Sequence, residues 1–230
     1  MGETTAWAAS RIRRRLVQRW RGALLARDLT LPVPAVAPRA PVSLLSLSRA
    51  SGAPDLVGLL AGHPGGEAFA DRLARGQLGA LARAGGAVAG YAWVGFDLWE
   101  FREIGVSVRL SPTECFLYDL FTEPAWRGES IGSALVAILM NDAIQRGCRA
   151  MYCRVGRGNA ASHALFTRLG FEKVVDVFGL TFFGSWVLSR LRPDRRPEHA
   201  GRLLRAIDWA RAGVYLLKID GEYGVRLVWR

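Results

Sequence analysis

The strongest constraint on the fold is an alternation of hydrophobic period between residues 114 and 178. The run ECFLYDLFT (114–122) is dense in β-branched, aromatic and apolar residues and stops at Pro124. Ile131, Ala134, Leu135, Ile138 and Leu139 then recur at helical spacing, and Gly147 stands where a helix C-terminus accepts positive φ. AMYCRV (150–155) reads as a short strand, and 160–169 as a helix between Asn159 and Gly170. Residues 171–178 read as a further strand. Strand, helix, strand, helix, strand is the order of an α/β layer structure. A chain of 230 residues has room for one large domain, or one with appendages.

Upstream, 42–49 (VSLLSLSR) is a plausible first strand, followed by short helices near 54–61 and 66–76. Phe69 and Leu73 share a face of the second, and Gly76 ends it. Two strands, 78–84 and 87–96, flank Gly85-Gly86, a two-residue hairpin signal. Residues 97–113 read as a mixed connection. Half of the chain is hydrophobic and 22% is charged, so a sizeable core forms and wholesale disorder is excluded. The longest uncharged stretches, 84–96 and 177–189, have 13 residues each, short of the ~20 that a spanning helix needs. Cys115, Cys148 and Cys153 match no zinc or redox spacing and read as buried thiols of a reducing cytosol. No metal is expected. Arg27 and Asp28 cut short any apolar region after the N-terminal basic run, so a secretory signal is not expected there.

The net charge of +11 is unevenly placed. Residues 1–40 carry eight Arg against Glu3 and Asp28, and 190–212 carry seven Arg against three acids, whereas 41–189 balance to zero. Three regions follow: a basic helix with a Pro-rich linker (1–41), a neutral globular body (42–189) and a basic extension (190–230). The helix is predicted over 10–27 from the four-residue spacing of Ile12, Leu16, Trp20 and Leu24 among arginines. The linker holds Pro32, Pro34, Pro38 and Pro41. A second basic helix is expected over 198–212, and a hairpin over 213–230 turning at Asp220-Gly221.

Chemistry concentrates in residues 119–135 (DLFTEPAWRGESIGSAL). A strand ends at proline, a polar loop with glycines follows, and a long helix starts. Loop amides and the helix N-terminus then converge on one place and favour an anion. Arg127 adds a guanidinium suited to phosphate. A plain strand-to-helix turn built from small residues is the competing reading.

This segment resembles the acyl-CoA pyrophosphate loop of the GNAT superfamily of N-acetyltransferases. The family's pattern is Arg or Gln, two residues, Gly, one residue, then Gly or Ala. Arg127, Ser130 and Gly132 hold its three defining positions, so Ser130 departs from it. Residues 159–172 (NAASHALFTRLGFE) resemble the family's second CoA-contacting helix, with Asn159 and the closing Leu169-Gly170-Phe171 intact and Phe166 at the usual Tyr. The resemblance implies a mixed sheet flanked by helices, here with a basic N-terminal helix and a C-terminal helix and hairpin. It implies acetyl-CoA, or a longer acyl-CoA, as donor to an amine or hydroxyl of a small-molecule or protein acceptor. Thr122, Arg127, Gly128, Glu129, Ser130, Ile131, Gly132, Ser133, Asn159 and Phe166 are the residues it assigns to CoA.

Acyl transfer needs an oxyanion donor and a base. The resemblance places the donor at the backbone amide of Leu120 or Phe121, and Asp119 is the base candidate on the same strand, with Glu123 and Glu114 as alternates. A solvated or salt-bridged strand carboxylate is the other reading of Asp119. Phe166 cannot protonate the leaving thiolate. Tyr118, Tyr152 or water substitutes, or no acid is needed, or acyl transfer has been lost and the fold serves as a non-catalytic acyl-CoA binder or scaffold. For the basic helix three readings stand: an anionic membrane surface with Trp20 and Leu24 inserted, an acidic partner such as an acyl carrier protein, or packing of its apolar stripe on the body. The expected location is the cytoplasm or the inner membrane surface. No recognised nucleic-acid motif accompanies the charge, so nucleic acid is not the expected partner.

Overall fold

The computed structural model describes residues 17–47, 68–101, 106–182, 186–193, 207–209, 213–219 and 222–228. In chain order the elements are β1 (Val17–Asp28), β2 (Ser43–Ser46), α1 (Ala68–Ala74), β3 (Leu78–Ala84), β4 (Ala87–Gly95), β5 (Leu98–Phe101), β6 (Val106–Arg109) and β7 (Glu114–Thr122). Then come α2 (Ile131–Gln145), β8 (Ala150–Gly156), α3 (Ala160–Arg168), β9 (Glu172–Phe182), β10 (Trp186–Pro193), β11 (Ile207–Trp209), β12 (Gly213–Ile219) and β13 (Glu222–Val228). Ten strands form one mixed sheet in the order β13-β12-β10-β9-β1-β8-β7-β4-β3-β2, and β11, β6 and β5 form a small second sheet. This is the expected α/β architecture of a mixed sheet flanked by helices.

The alternation over 114–178 gives the elements it promised. β7 spans the predicted run, α2 ends before Gly147 at φ +91°, and Asn159 caps α3 by accepting from the Ser162 amide at 3.0 Å. The Gly85-Gly86 turn has both residues at positive φ, as a tight hairpin requires.

The N-terminal segment overturns its expectation. Within the predicted helix 10–27, residues 17–27 are the greater part of a strand, antiparallel to β8 on one side and β9 on the other. Residues 10–16, with Ile12 and Leu16, lie outside the described residues. The four-residue spacing is misleading because the run GALLA (22–26) is apolar on both faces. Ala23 and Leu25 enter the core beneath the helices, while Leu24 and Ala26 enter the core beneath the small second sheet. Such continuous runs mark strands covered on both faces, and Ala and Leu make them look helical by propensity. The backbone groups of β8 and β9 that β1 occupies outweigh that preference. Leu24 is buried in the sheet and so is not available as a membrane insert, and an Arg154 guanidinium lies 5.2 Å over the ring of the partly buried Trp20.

Residues 29–42 form no helix or strand and lie on the body. Val33 and Val36 pack on the main core, Arg27 donates to the Pro32 carbonyl at 2.7 Å, and the Arg39 amide donates to the Glu129 carbonyl at 2.9 Å. The mixed connection 97–113 contains β5 and β6, which cover one face of the sheet. The predicted helix 198–212 is contradicted where it is described, since residues 207–209 form β11. The C-terminal hairpin is present as β12 and β13, and β12 joins the sheet by pairing parallel with β10.

Leu24 is 1% exposed at the centre of β1. Leu24→Ala is therefore expected to lower the unfolding free energy by ~2–5 kcal/mol, the range for truncating a buried Leu. Chemical denaturation checks this; a change under ~0.5 kcal/mol would place Leu24 on a surface instead.

Candidate active site

The site begins where two parallel strands separate. β7 and β8 pair only from Glu114↔Ala150 to Leu117↔Cys153. Past that point β7 continues along β4 as far as Thr122, and β8 continues along β1 to Gly156. The two strands thus open a wedge in the middle of the sheet. The amide of Glu123 bonds back to Ala89 in β4 at 3.0 Å, so the alternation of a strand turns the Thr122 amide toward the open side.

A bulge lies in β7 beside this opening. Trp93 pairs with Tyr118 and Tyr91 with Phe121, so Asp119 and Leu120 together face Ala92. Asp119 absorbs the extra residue at φ +47°, a region that Asp tolerates better than most side chains. Leu120 packs toward the helices, and its Cδ1 would lie 3.8 Å from a Cβ at Gly132. Phe121 lies toward the α1 side and stacks on Tyr91 with centroids 5.2 Å apart. Asp119 is half exposed and ion-paired to Arg72 of α1 at 2.6 Å. The Arg72 guanidinium in turn lies over the rings of Tyr118, Trp93 and Phe69.

The loop after β7 makes a 3-10 turn over Pro124–Trp126 and enters α2 through two residues at positive φ, Gly128 and Ser130. Arg127 is exposed, and its Nε donates to the Thr122 carbonyl at 3.2 Å, so the guanidinium is anchored at the mouth of the wedge. Ser130 caps α2 from the left-handed region at φ +61° and makes no side-chain capping bond, and the first turn of α2 carries no acidic residue. The amides of Ile131, Gly132 and Ser133 have no partner within the helix by its geometry. A Cβ at Gly132 would meet Leu165 Cδ1 of α3 at 3.1 Å and Thr122 Oγ1 at 3.4 Å. Gly132 thus lets β7, α2 and α3 converge closely. The result is a positive helix end and an arginine at the open end of a split sheet, a cradle that favours an anion.

Of the predicted CoA residues, the structure groups Thr122 and 127–133 in that cradle, with Asn159 at the start of α3. Phe166 lies in the core, 3% exposed and edge-on to Phe171 at 5.0 Å. Tyr152 is fully buried, and its hydroxyl donates to Glu114 Oε1 at 2.7 Å, so it stands at the zipped end and cannot reach the wedge. Glu114 is buried there too. Tyr118 donates to Gln77 Oε1, and burial pushes its pKa up to about 12. Arg72, Gln77 and Tyr91 escaped the sequence reading. They lie far from β7 in the chain, and no local pattern marks them. Among the described residues, no three His, Cys, Asp or Glu side chains group as a metal site, and no helix is long and apolar enough to cross a membrane.

Residues 58–171 match the model of the acetyltransferase (GNAT) family, so the chain carries a GNAT acetyltransferase domain. Members move an acyl group from CoA to an amine. Among solved structures, the chain resembles a tandem GNAT protein from the clavulanic acid biosynthesis pathway, with 21% identity, a TM-score of 0.50 and coverage of 80% of this chain and 59% of that one. It also resembles a putative GNAT acetyltransferase from Novosphingobium aromaticivorans (20%, TM-score 0.45, covering 77% and 68%). A third is a GCN5-related N-acetyltransferase from Sphaerobacter thermophilus (15%, TM-score 0.49, covering 77% and 56%). At 21% identity the likeness to the tandem GNAT protein is one of fold. No functionally curated protein matches the chain.

Two outcomes follow. Ser130→Gly relieves a left-handed residue worth ~1–2 kcal/mol of strain against ~0.5–1 kcal/mol of added backbone entropy, so a slightly higher melting temperature is expected. A clear loss would show that the Ser130 side chain stabilises the loop. For Tyr118, the folded pKa of about 12 exceeds the ordinary value of 10.0. Its contribution is fully present below pH 10.0 and is lost as pH rises through about 12. Denaturation curves across that window are expected to flatten in Tyr118→Phe.

Proposed function

We propose that this chain transfers an acetyl or longer acyl group from CoA to an amine, or a hydroxyl, by direct attack on the thioester. The observation that carries the reading is the wedge between β7 and β8 with the uncapped N-terminus of α2 at its mouth. CoA's pyrophosphate lies against the amides of 131–133 and Arg127, and the thioester arm enters the wedge. The bulge supports an oxyanion donor at Leu120 or Phe121. Two residues oppose one there, so β4 cannot satisfy every β7 amide. The acceptor comes from the side of Tyr91, Phe121 and Asp119. The Asp119 carboxylate, oriented by Arg72, attracts an ammonium group and takes its proton directly or through water. The nitrogen–carbon bond forms, the carbon–sulfur bond breaks and the thiolate leaves. Tyr118 keeps a proton at neutral pH, but its hydroxyl is engaged by Gln77, so water is the better proton source for the thiolate. A donor presented by an acidic carrier protein also suits the charge of +11. CoA chemistry and buried thiols both suit a reducing cytosol.

A second reading has one observation in its favour. Phe166 is sealed into the core, so no acid stands at the family's Tyr position, and a non-catalytic acyl-CoA binder of the same fold would lose nothing by it. Calorimetric titration with acetyl-CoA and longer acyl-CoAs, followed by thiol release over an amine panel, separates the two. Binding with turnover supports transfer, and binding without turnover on any amine supports the second reading. Arg127→Ala is expected to weaken CoA binding ~10- to 100-fold, since a hydrogen bond to a charged group contributes ~1.5–3 kcal/mol. Unchanged affinity would remove the pyrophosphate from this loop. Asp119→Asn is expected to reduce kcat ~10²–10⁴-fold with CoA affinity retained; a loss under threefold at every pH would exclude it as base.

A further inference from the structure

A cavity of ≈ 720 Å³ lies beside α3, over β1, β9 and β10. None of Thr122, residues 127–133, Asn159 and Phe166 lines it. It is on the other flank of α3 from the acyl-CoA loop: Leu165 faces Gly132 of α2, whereas His163 lines the cavity. The volume is that of a small-molecule site. Its floor is apolar, from Ala23, Phe178 and Leu188. Its rim is cationic, with Arg21 from β1, Arg157 after β8, Lys173 from β9 and Arg190 from β10. Asp176, the one acidic residue lining it among the described residues, is held by Lys173 at 3.1 Å.

Separate strands bring these cations together, and the fold keeps them close. The Arg157 amide donates to the Arg21 carbonyl at 2.9 Å, which fixes the two arginines side by side. Phe178 holds the Arg21 guanidinium 5.1 Å from its ring centroid. Like charges gathered at a concave surface focus field and raise the local concentration of anions. Desolvation first, and then the neighbouring Arg19 and Arg157, lower the pKa of the Arg21 guanidinium, so an anion beside Arg21 and Arg157 relieves part of their repulsion. Guanidinium forks are also the groups best shaped for carboxylate and phosphate oxygens.

We infer that this cavity is a second ligand site, separate from the acyl-CoA loop, which takes an organic polyanion. Its phosphate or carboxylate groups lie against Arg21, Arg157 and Arg190, and its apolar body lies over Ala23, Phe178 and Leu188. The site shares no lining side chain with the CoA cradle, so it stands whether or not the chain turns over an acceptor.

The test uses the full chain, first saturated with CoA so that the loop at α2 is occupied, then titrated calorimetrically with ATP, with citrate and with inorganic pyrophosphate. One site per chain is expected, with an organic polyanion binding more tightly than pyrophosphate because only it covers the apolar floor. The pair Arg21→Gln and Arg157→Gln is expected to weaken binding at least tenfold, and Arg157→Gln alone to weaken it measurably. Both positions are exposed, so folding is retained, and an unchanged melting temperature checks this. Arg127→Ala is expected to leave this binding unchanged while weakening CoA. The inference is overturned if none of the three probes binds, if CoA displaces them, or if the Arg21 and Arg157 variants bind them as the unaltered chain does.

Discussion

The short parallel pairing of β7 with β8 is the constraint on which the site depends. Over Glu114–Leu117 the two strands are zipped, and the pairing lies between two cores. Beyond it each strand is held by its outer neighbour, β4 or β1, so the strands part without leaving the sheet. Separation exposes backbone groups that neither strand satisfies in the other. Such groups are stable only where solvent or a polar ligand reaches them. The opening is therefore a binding surface by construction, and the helix that follows β7 delivers its N-terminus to the mouth of it.

Local strain sits at the same place. Of the three non-glycine residues at positive φ among the described residues, Asp119 and Ser130 flank the opening. One bends β7 at the bulge and the other turns the loop into α2. Strained backbone persists where surrounding contacts over-determine it. Here they do: Asp119 is tied to Arg72, and the loop is tied to Arg39 through Glu129. The Arg72 tether comes from α1 and the Arg39 tether from the segment after β1, so distant parts of the chain fix the geometry of one turn.

β1 has two roles in this arrangement. It fills the gap between β8 and β9, which stabilises the outer wall of the wedge, and it brings Arg21 to the cationic cavity beside α3. The N-terminal excess of positive charge is thus built into the sheet in part, with Trp20 under Arg154 and Arg21 over Phe178. The described part of the N-terminal segment is one structural unit with the central strands.

The sequence alone determined the central unit, because there local signals and tertiary context agree. Period-two and period-3.6 patterns, Asn159 as a cap, and Gly147 and Gly170 as stops all act within a few residues of the structure they specify. The same holds for the cradle, whose Arg127, Gly128 and Gly132 lie in one short segment. What only the tertiary structure decided rests on pairing across long separations. The stretch 22–26 reads equally as the face of a helix and as a twice-buried strand, and the open edges of β8 and β9 settled it as β1. Asp119 reads as a carboxylate on a strand, and Arg72, 47 residues earlier, gave it a partner. Phe166 kept its place in the helix motif, and core packing against Phe171 fixed its ring. Periodicity encodes which faces are apolar, but not which distant strand or charge meets them; that is set when unsatisfied backbone and exposed apolar surface find each other in the folded chain.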